Sequence, residues 1–423
     1  MRLNNIRRGA ANGGRVSLAL VLSYAFDWFI LVAAIAAGGA LAIVSPNMRP
    51  FALNNITISY PYVEHEKVPT IALILIGGAG PVVIIAIMCL FLVPGPTVPK
   101  STPRSLIWRR KLWELHTGWL GLGLAIASAF LITQGMKNLF GKPRPDLLSR
   151  CQPDLANRAQ HVIGGFSEVS EVFLVYSATI CQQPDKEKLD DGFRSFPSGH
   201  SSFSASGLIY LSLFIASKLA ITIPFLPATA STPEGLTAFP SRTPGNSRQT
   251  NGNNSHDSLE VAATDKKIVG ARNLAAAPPV YLLVFAIIPF FGSIYISATR
   301  FSDFRHHGFD ILFGYGIGVI TAIFSFRYYH LPISTGAGWS WGPRSKDRSF
   351  WAGVGVGNYV GVKGGAQMGQ ASLGAAPRAG SSGMTEIDIE RNNFYDRQTM
   401  DNDVGTTNGY NSQYYQRRKD SSG

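Results

Sequence analysis

Charge is scarce in this sequence. Only 15% of its 423 residues are Asp, Glu, Lys or Arg, against roughly 25% in an ordinary soluble protein. Apolar residues make up 46%, and they are bunched into long runs. A soluble chain of this length would form two or three domains, and the bunching excludes that arrangement. Acids are scarcer than bases, 26 against 38, which leaves a net charge of +12. Such a balance suits either nucleic acid or basic loops lying on anionic lipid, and the apolar runs decide for lipid. Cysteine is nearly absent, with only Cys89, Cys151 and Cys181. No CxxC or Cys/His spacing among them suits zinc. A cleavable signal is also lacking, because the first apolar run is too long and has no clear cleavage site. It reads as a retained membrane helix. No solenoid-type repeat is present.

What the sequence does hold is a series of stretches long enough to cross a bilayer, which takes roughly 20 apolar residues each. Six qualify: near Tyr24–Val44, Thr70–Val93, Thr117–Thr133, Ser202–Ile223, Pro279–Ser297 and Gly308–Phe326. The expected fold is an all-α integral membrane protein, a six-helix bundle over about 21–330. Asp27 is expected at the headgroup level, and Lys218 is expected to snorkel to the interface. Short-loop basic residues set the orientation. Arg2, Arg7, Arg8 and Arg15 precede the first span, and Lys100, Arg104, Arg109, Arg110 and Lys111 separate the second from the third. The first loop has only Arg49 and Lys67, offset by Glu64 and Glu66. The segment 1–20 and the C-terminus are therefore expected in the cytosol. The loops after the first, third and fifth spans then face the lumen or exterior.

A glycosylation sequon, Asn55-Ile56-Thr57, falls in the first outer loop and agrees with this orientation. A second, Asn253-Asn254-Ser255, falls on the cytosolic side. The insert at about 227–267 and the tail at 331–423 have compositions that favour disorder. Trp339, Trp341 and Trp351 lie in that tail, where they can touch the membrane surface or belong to a loosely ordered segment. Cys151 and Cys181 share one outer loop. An oxidising compartment would allow them to pair, and their spacing does not decide whether they do.

Three clusters of chemically active residues stand at span ends on the outer side. The first is Lys137-Asn-Leu-Phe-Gly-Lys-Pro-Arg144-Pro145 after the third span. Its two cations are seven residues apart, and Gly141 and Pro143 should end the helix between them. The second, Pro197-Ser198-Gly199-His200-Ser201-Ser202, opens the fourth span. Ser198 or Ser201 can cap that helix. Gly199 admits close approach of a ligand, free amides at the helix start attract anions, and His200 can give a proton to a departing oxygen. The third, Arg300-Phe-Ser-Asp-Phe-Arg-His306-His307-Gly-Phe-Asp310, enters the sixth span. His306 and Asp310 are four apart, so a helix would place them on one face. The carboxylate could then fix the ring's tautomer and free the other nitrogen to attack. Arg300 offers a planar fork for phosphate oxygens.

Singly, each cluster has a plainer explanation: a basic flank, a serine-rich helix start, an interfacial Arg/His group. Together they place three cations, two histidines and an acid on one side of one membrane protein. Lys137, Arg144 and Arg300 would hold a multiply charged oxyanion, with Ser198 and Gly199 at the helix start. His306 would attack it, and His200 would protonate the leaving group. A metal is not expected, since His306 and His307 have no third strong ligand and the nearby cations would repel one.

These residues resemble the three-part signature of the type 2 phosphatidic acid phosphatase superfamily: KxxxxxxRP, PSGH and SRxxxxxHxxxD. The first two parts match fully. The third matches at Arg300, His306 and Asp310, with Thr299 in place of the usual Ser. Ser45-Pro-Asn-Met-Arg-Pro-Phe51, Ile58 to Pro61 and Val68-Pro69 are similar to the eukaryotic lipid phosphate phosphatase branch, especially to fungal enzymes. The resemblance implies a cofactor-free, Mg²⁺-independent enzyme of the fold shared with vanadium haloperoxidases. It would act on phosphatidate, diacylglycerol pyrophosphate and lysophosphatidate through a phosphohistidine on His306. Nucleic acid is not an expected partner. Phosphatases of polyprenyl pyrophosphates, sphingoid phosphates or sugar phosphates stay open. A non-catalytic six-span lipid-binding or transport protein would account for the spans but not for the intact site.

Overall fold

A computed structural model describes residues 17–95, 98–166, 170, 173–222, 277–333, 339–344 and 349–350. The chain divides into a compact unit, Met1–Ala352, and a second unit, Gly353–Gly423. The second unit and the 227–267 insert both lie outside the described residues.

Helix α1 (Leu18–Ile43) is unbroken and apolar. Helix α2 (Thr70–Leu92) widens into a π-turn at Leu75–Ala79, just before Pro81. Proline has no amide hydrogen for the preceding turn, and the π-turn places it in the first turn of the half-helix that follows. Helix α3 (Arg104–Phe140) has 37 residues, about 55 Å at 1.5 Å per residue. That exceeds the roughly 30 Å of a hydrocarbon core, so the helix is longer than a single crossing needs. Gly141, with φ +55°, closes α3 in a left-handed cap, its amide bonded to the Lys137 carbonyl. A Cβ there would sit 1.3 Å from the Asn47 carbonyl oxygen, so only glycine fits.

The loops after α1 and α3 form a small cap. It contains α4 (Leu147–Cys151), a two-stranded hairpin of β1 (Val162–Gly165) and β2 (Leu174–Tyr176), and α5 (Lys186–Gly192). Phe51, Ile58, Leu147, Tyr176, Ile180 and Phe193 make its core, and the Cys151–Cys181 disulfide is formed. The hairpin departs from the all-α expectation. It lies in a polar loop, where span patterning carries no information.

Helix α6 (Gly199–Lys218) sits at the centre, against α2, α3, α7 (Val280–Ser302) and α8 (Gly308–Tyr329). Its six serines and Gly207 allow close packing. A Cβ on Gly207 would meet the Gly77 carbonyl at 1.9 Å, and one on Gly318 would meet the Ser202 carbonyl at 2.5 Å. Small residues let backbones approach in this way between membrane helices. Helices α1, α2, α3, α7 and α8 are the five long and apolar enough to cross a membrane. Helix α6 has the length but spends its surface on serine.

Lys218 departs from expectation. Lys218 does not snorkel: its side chain is 2% exposed and pairs with buried Glu114 at 2.6 Å. Asp27 pairs with Arg344 at 2.6 Å. Charges within membrane helices are tolerated when partnered, and here one partner arrives from after α8. Residues 339–344 fold back on the bundle. Ser340 donates to Glu114 through its amide and hydroxyl, and Trp113 donates to the Trp341 carbonyl. The ordered unit therefore continues beyond residue 330.

Candidate active site

The three clusters meet. Lys137 ends α3, Arg144 follows Gly141, Gly199 and His200 open α6, Arg300 ends α7, and His306 precedes α8. All six line one cavity of about 800 Å³. Ser198 and Asp310 stand behind it.

His306 is buried. Its Nδ1 lies 2.6 Å from the Ser195 carbonyl oxygen. A carbonyl only accepts, so Nδ1 carries the hydrogen and Nε2 keeps the lone pair. Burial, then the charges of Arg144 and Lys137, hold the ring's pKa well below its usual value. The imidazole is neutral at physiological pH, as a nucleophile requires.

Asp310 does not bond to His306, contrary to the four-residue spacing argument. That argument needs both residues in one helix, whereas α8 begins at Gly308 with His307 as its N-cap. Asp310 instead completes a capping box with His307. It also accepts from the Ser195 hydroxyl at 2.6 Å and pairs with Lys142 at 2.6 Å. Ser195 thus joins the two: its carbonyl takes His306 and its hydroxyl gives to Asp310.

Ser198 also differs from expectation. Its amide donates to the Asp310 carbonyl at 3.0 Å, so it is not free for an anion. Neither Ser198 nor Ser201 caps α6, and the Ser201 hydroxyl bonds that of Ser198. The uncapped first turn begins at Gly199. A Cβ on Gly199 would lie 3.1 Å from Lys137 Nζ, so the glycine makes room for the ammonium.

Two acids in the cavity had no signal in the sequence. Asp191 pairs with Arg144 at 2.6 Å and Arg150 at 2.9 Å. Burial alone would raise its carboxyl, but Arg144, Arg150, Lys137 and Arg305 hold it well below the carboxylate range. Glu66 pairs with Arg300 at 2.8 Å and Arg305 at 2.9 Å. Arg300 also reaches Asp303 at 3.0 Å and, at 3.4 Å, the Thr299 hydroxyl. The Thr299 hydroxyl itself donates to the Ile296 carbonyl at 2.6 Å. Lys137 has no carboxylate partner among the described residues. Lys142 and Arg305 lie inside the motifs, and Ser195 is two residues before Pro197, so local sequence could have flagged them. Glu66 comes from the loop after α1 and Asp191 from α5, both outside the motifs. Among the described residues, no group of three or more His, Cys, Asp or Glu is placed to hold a metal ion.

The architecture and site together define a mostly helical, membrane-type bundle with a cavity lined by two histidines and the cations Lys137, Arg144 and Arg300. The family model described as "PAP2 superfamily" matches residues 118–333, and the chain belongs to that superfamily. It is similar to "Diacylglycerol pyrophosphate phosphatase 1" of Saccharomyces cerevisiae, 27% identical over 73% of this chain and 80% of that protein. It is 35% identical to "Probable diacylglycerol pyrophosphate phosphatase 1" of Schizosaccharomyces pombe, over 42% of this chain and about half, 53%, of that relative. It is 25% identical to "Lipid phosphate phosphatase 1" of Arabidopsis thaliana over 76% and 71% of the two chains. No solved structure matches the chain significantly.

Proposed function

We propose that this protein is a metal-independent lipid phosphate phosphatase acting on phosphatidate, diacylglycerol pyrophosphate and lysophosphatidate. The carrying observation is the two-part cavity. Its polar end holds His306, His200, Lys137, Arg144 and Arg300, and its remainder is walled by apolar residues of α1, α2 and α3, including Ile35, Ile74, Val82, Trp119 and Phe130. A phosphate ester fits the first part and its hydrocarbon the second. The names of the relatives point to the same substrates.

In this proposal the Nε2 lone pair of His306 attacks phosphorus as the bond to the lipid oxygen breaks. The departing alkoxide takes a proton from His200. Water then attacks the phosphohistidine and gives its proton to His200, the P–N bond breaks, and neutral His306 returns. Lys137, Arg144, Arg300 and the first amides of α6 stabilise the equatorial oxygens. Asp310 positions His306 through Ser195. The protein has six spans, α6 included, with its site on the luminal or exterior face and both termini cytosolic.

The test is phosphate release from phosphatidate in detergent micelles with excess EDTA. Wild-type activity that survives EDTA and is abolished in His306→Ala supports the proposal. Equal activity in the two proteins removes His306 as the nucleophile.

A further inference from the structure

The segment 66–68 lies between the two groups that the proposed reaction asks most of. It is fastened to the end of α7, with the Lys67 amide donating to Asp303 at 3.1 Å and its ammonium to Ser302 at 2.8 Å. The Val68 carbonyl accepts from Arg300 at 3.0 Å and from His200 Nε2 at 3.2 Å. Glu66 adds a carboxylate whose Oε2 is 2.8 Å from Arg300 Nη1 and 3.9 Å from His200 Nε2. Its Oε1 is held by Arg305 at 2.9 Å. One three-residue bracket therefore serves side chains from two different helices.

His200 needs such a neighbour. Lys137 from α3, Arg144 from the loop after it and Arg300 from α7 all act on the ring with positive charge. His306, from the loop before α8, also couples to it electrostatically. Asp191, from α5, is already engaged by Arg144 and Arg150. Among the described residues Glu66 is the carboxylate paired with this ring. Because a carbonyl only accepts, His200 Nε2 keeps a hydrogen in both charge states. The proton that comes and goes is on Nδ1.

We propose that Glu66 is a positioning residue for both Arg300 and His200, aligning the guanidinium in the empty site and retaining the His200 proton once phosphate is bound. An arriving phosphate takes the Arg300 fork that Glu66 Oε2 now occupies. The carboxylate then keeps Arg305 and turns its free oxygen to His200 Nε2–H, its next neighbour. An opposite charge at this range favours the protonated imidazole, and the leaving oxygen receives the Nδ1 proton. The assignment rests on the phosphatase function proposed above.

The test compares wild type, Glu66→Gln and Glu66→Asp in micelles, by the pH dependence of kcat on phosphatidate, inhibition by orthovanadate and the His200 ring titration by ¹⁵N NMR with orthovanadate bound. In Glu66→Gln, kcat at neutral pH should fall about tenfold, and the alkaline arm of kcat, which reports the bound state, should move to lower pH by about one unit. Glu66→Asp keeps the charge and should restore part of both, and it serves if the glutamine variant does not fold. Weaker vanadate inhibition with an unmoved alkaline arm would reduce Glu66 to a holder of Arg300. Tighter vanadate inhibition with unchanged kcat would make it a mere occupant of the anion site. Both results overturn the proposal. Wild type that releases no phosphate defeats the proposed function instead. The NMR titration then decides for Glu66: a His200 ring that titrates at lower pH in Glu66→Gln supports the assignment, and an unmoved ring ends it.

Discussion

The Nδ1 of His306 sits 2.6 Å from the carbonyl oxygen of Ser195. That contact sets the tautomer from the main chain, so no carboxylate has to touch the ring. The Ser195 hydroxyl meanwhile bonds Asp310 at 2.6 Å. Asp310 thus acts on His306 at one remove.

Ser195→Ala keeps the carbonyl and deletes the hydroxyl. It should preserve the His306 tautomer while leaving Asp310 short of one donor. The expected loss is about 1–3 kcal/mol of stability, the cost of an unsatisfied buried acceptor, with activity falling less than in Asp310→Ala. Unfolding curves and kcat would be measured for both. Equal or greater loss of kcat in Ser195→Ala would place the hydroxyl itself in the chemistry.

The depressed pKa of His306 has two consequences. The acid arm of the rate profile should lie well below pH 6.5, the free histidine value. Stability should follow the same group. Between its folded-state value and 6.5 the unfolded chain binds the extra proton, so stability is lost as pH falls below 6.5. An acid arm at or above 6.5 would show that the ring is not held neutral.

Gly199→Ala brings a methyl group 3.1 Å from Lys137 Nζ. Lysine is flexible and can yield, so the fold should hold. The ammonium would leave its place at the start of α6, raising KM several-fold with a smaller change in kcat. A variant with unchanged KM would show that Lys137 is not held there for the anion.

The Cys151–Cys181 bond closes a sequence separation of 30 residues. Chain entropy alone assigns such a loop roughly 3–4 kcal/mol. Cys151→Ser should therefore lower thermal stability, and reductant should have little further effect on it. A variant as stable as wild type would mean that the cap core of Phe51, Ile58 and Phe193 carries the outer loops alone.

Chain truncation before Trp339 removes the Ser340 donors from buried Glu114 and the Arg344 partner from Asp27. Glu114 keeps Lys218 but loses two buried hydrogen bonds, each worth about 0.5–1.5 kcal/mol, and partly exposed Asp27 loses its cation. The truncated protein should unfold at lower temperature than one ending after residue 352. Identical melting curves would show that the returning segment contributes nothing.

Much of this molecule was legible in its sequence because membrane helices are written locally. A bilayer demands uninterrupted apolar runs, and α1, α2, α3, α7 and α8 follow them. The catalytic candidates were legible for a related reason. Glycines, prolines and charges gather at helix ends, and the three motifs lie there. Their spacing along the chain, Lys137 to Arg144 and Arg300 to His306, is carried by the sequence itself.

Tertiary structure decided which partners those residues have. The i, i+4 rule joined His306 to Asp310 on paper, but a helix that begins at Gly308 leaves His306 outside its periodicity and hands its ring to Ser195. Glu66 reaches the cavity from the loop after α1 and Asp191 from α5, and no local pattern encodes an encounter set by packing. Lys218 seemed bound for the interface until Glu114, on α3, supplied its counter-charge. The sequence by itself determined the class of fold and the residues able to do the chemistry, because solvent preference and turn geometry are local. Only the folded chain determined their charge states and hydrogen bonds, because those depend on neighbours that distance in sequence does not predict.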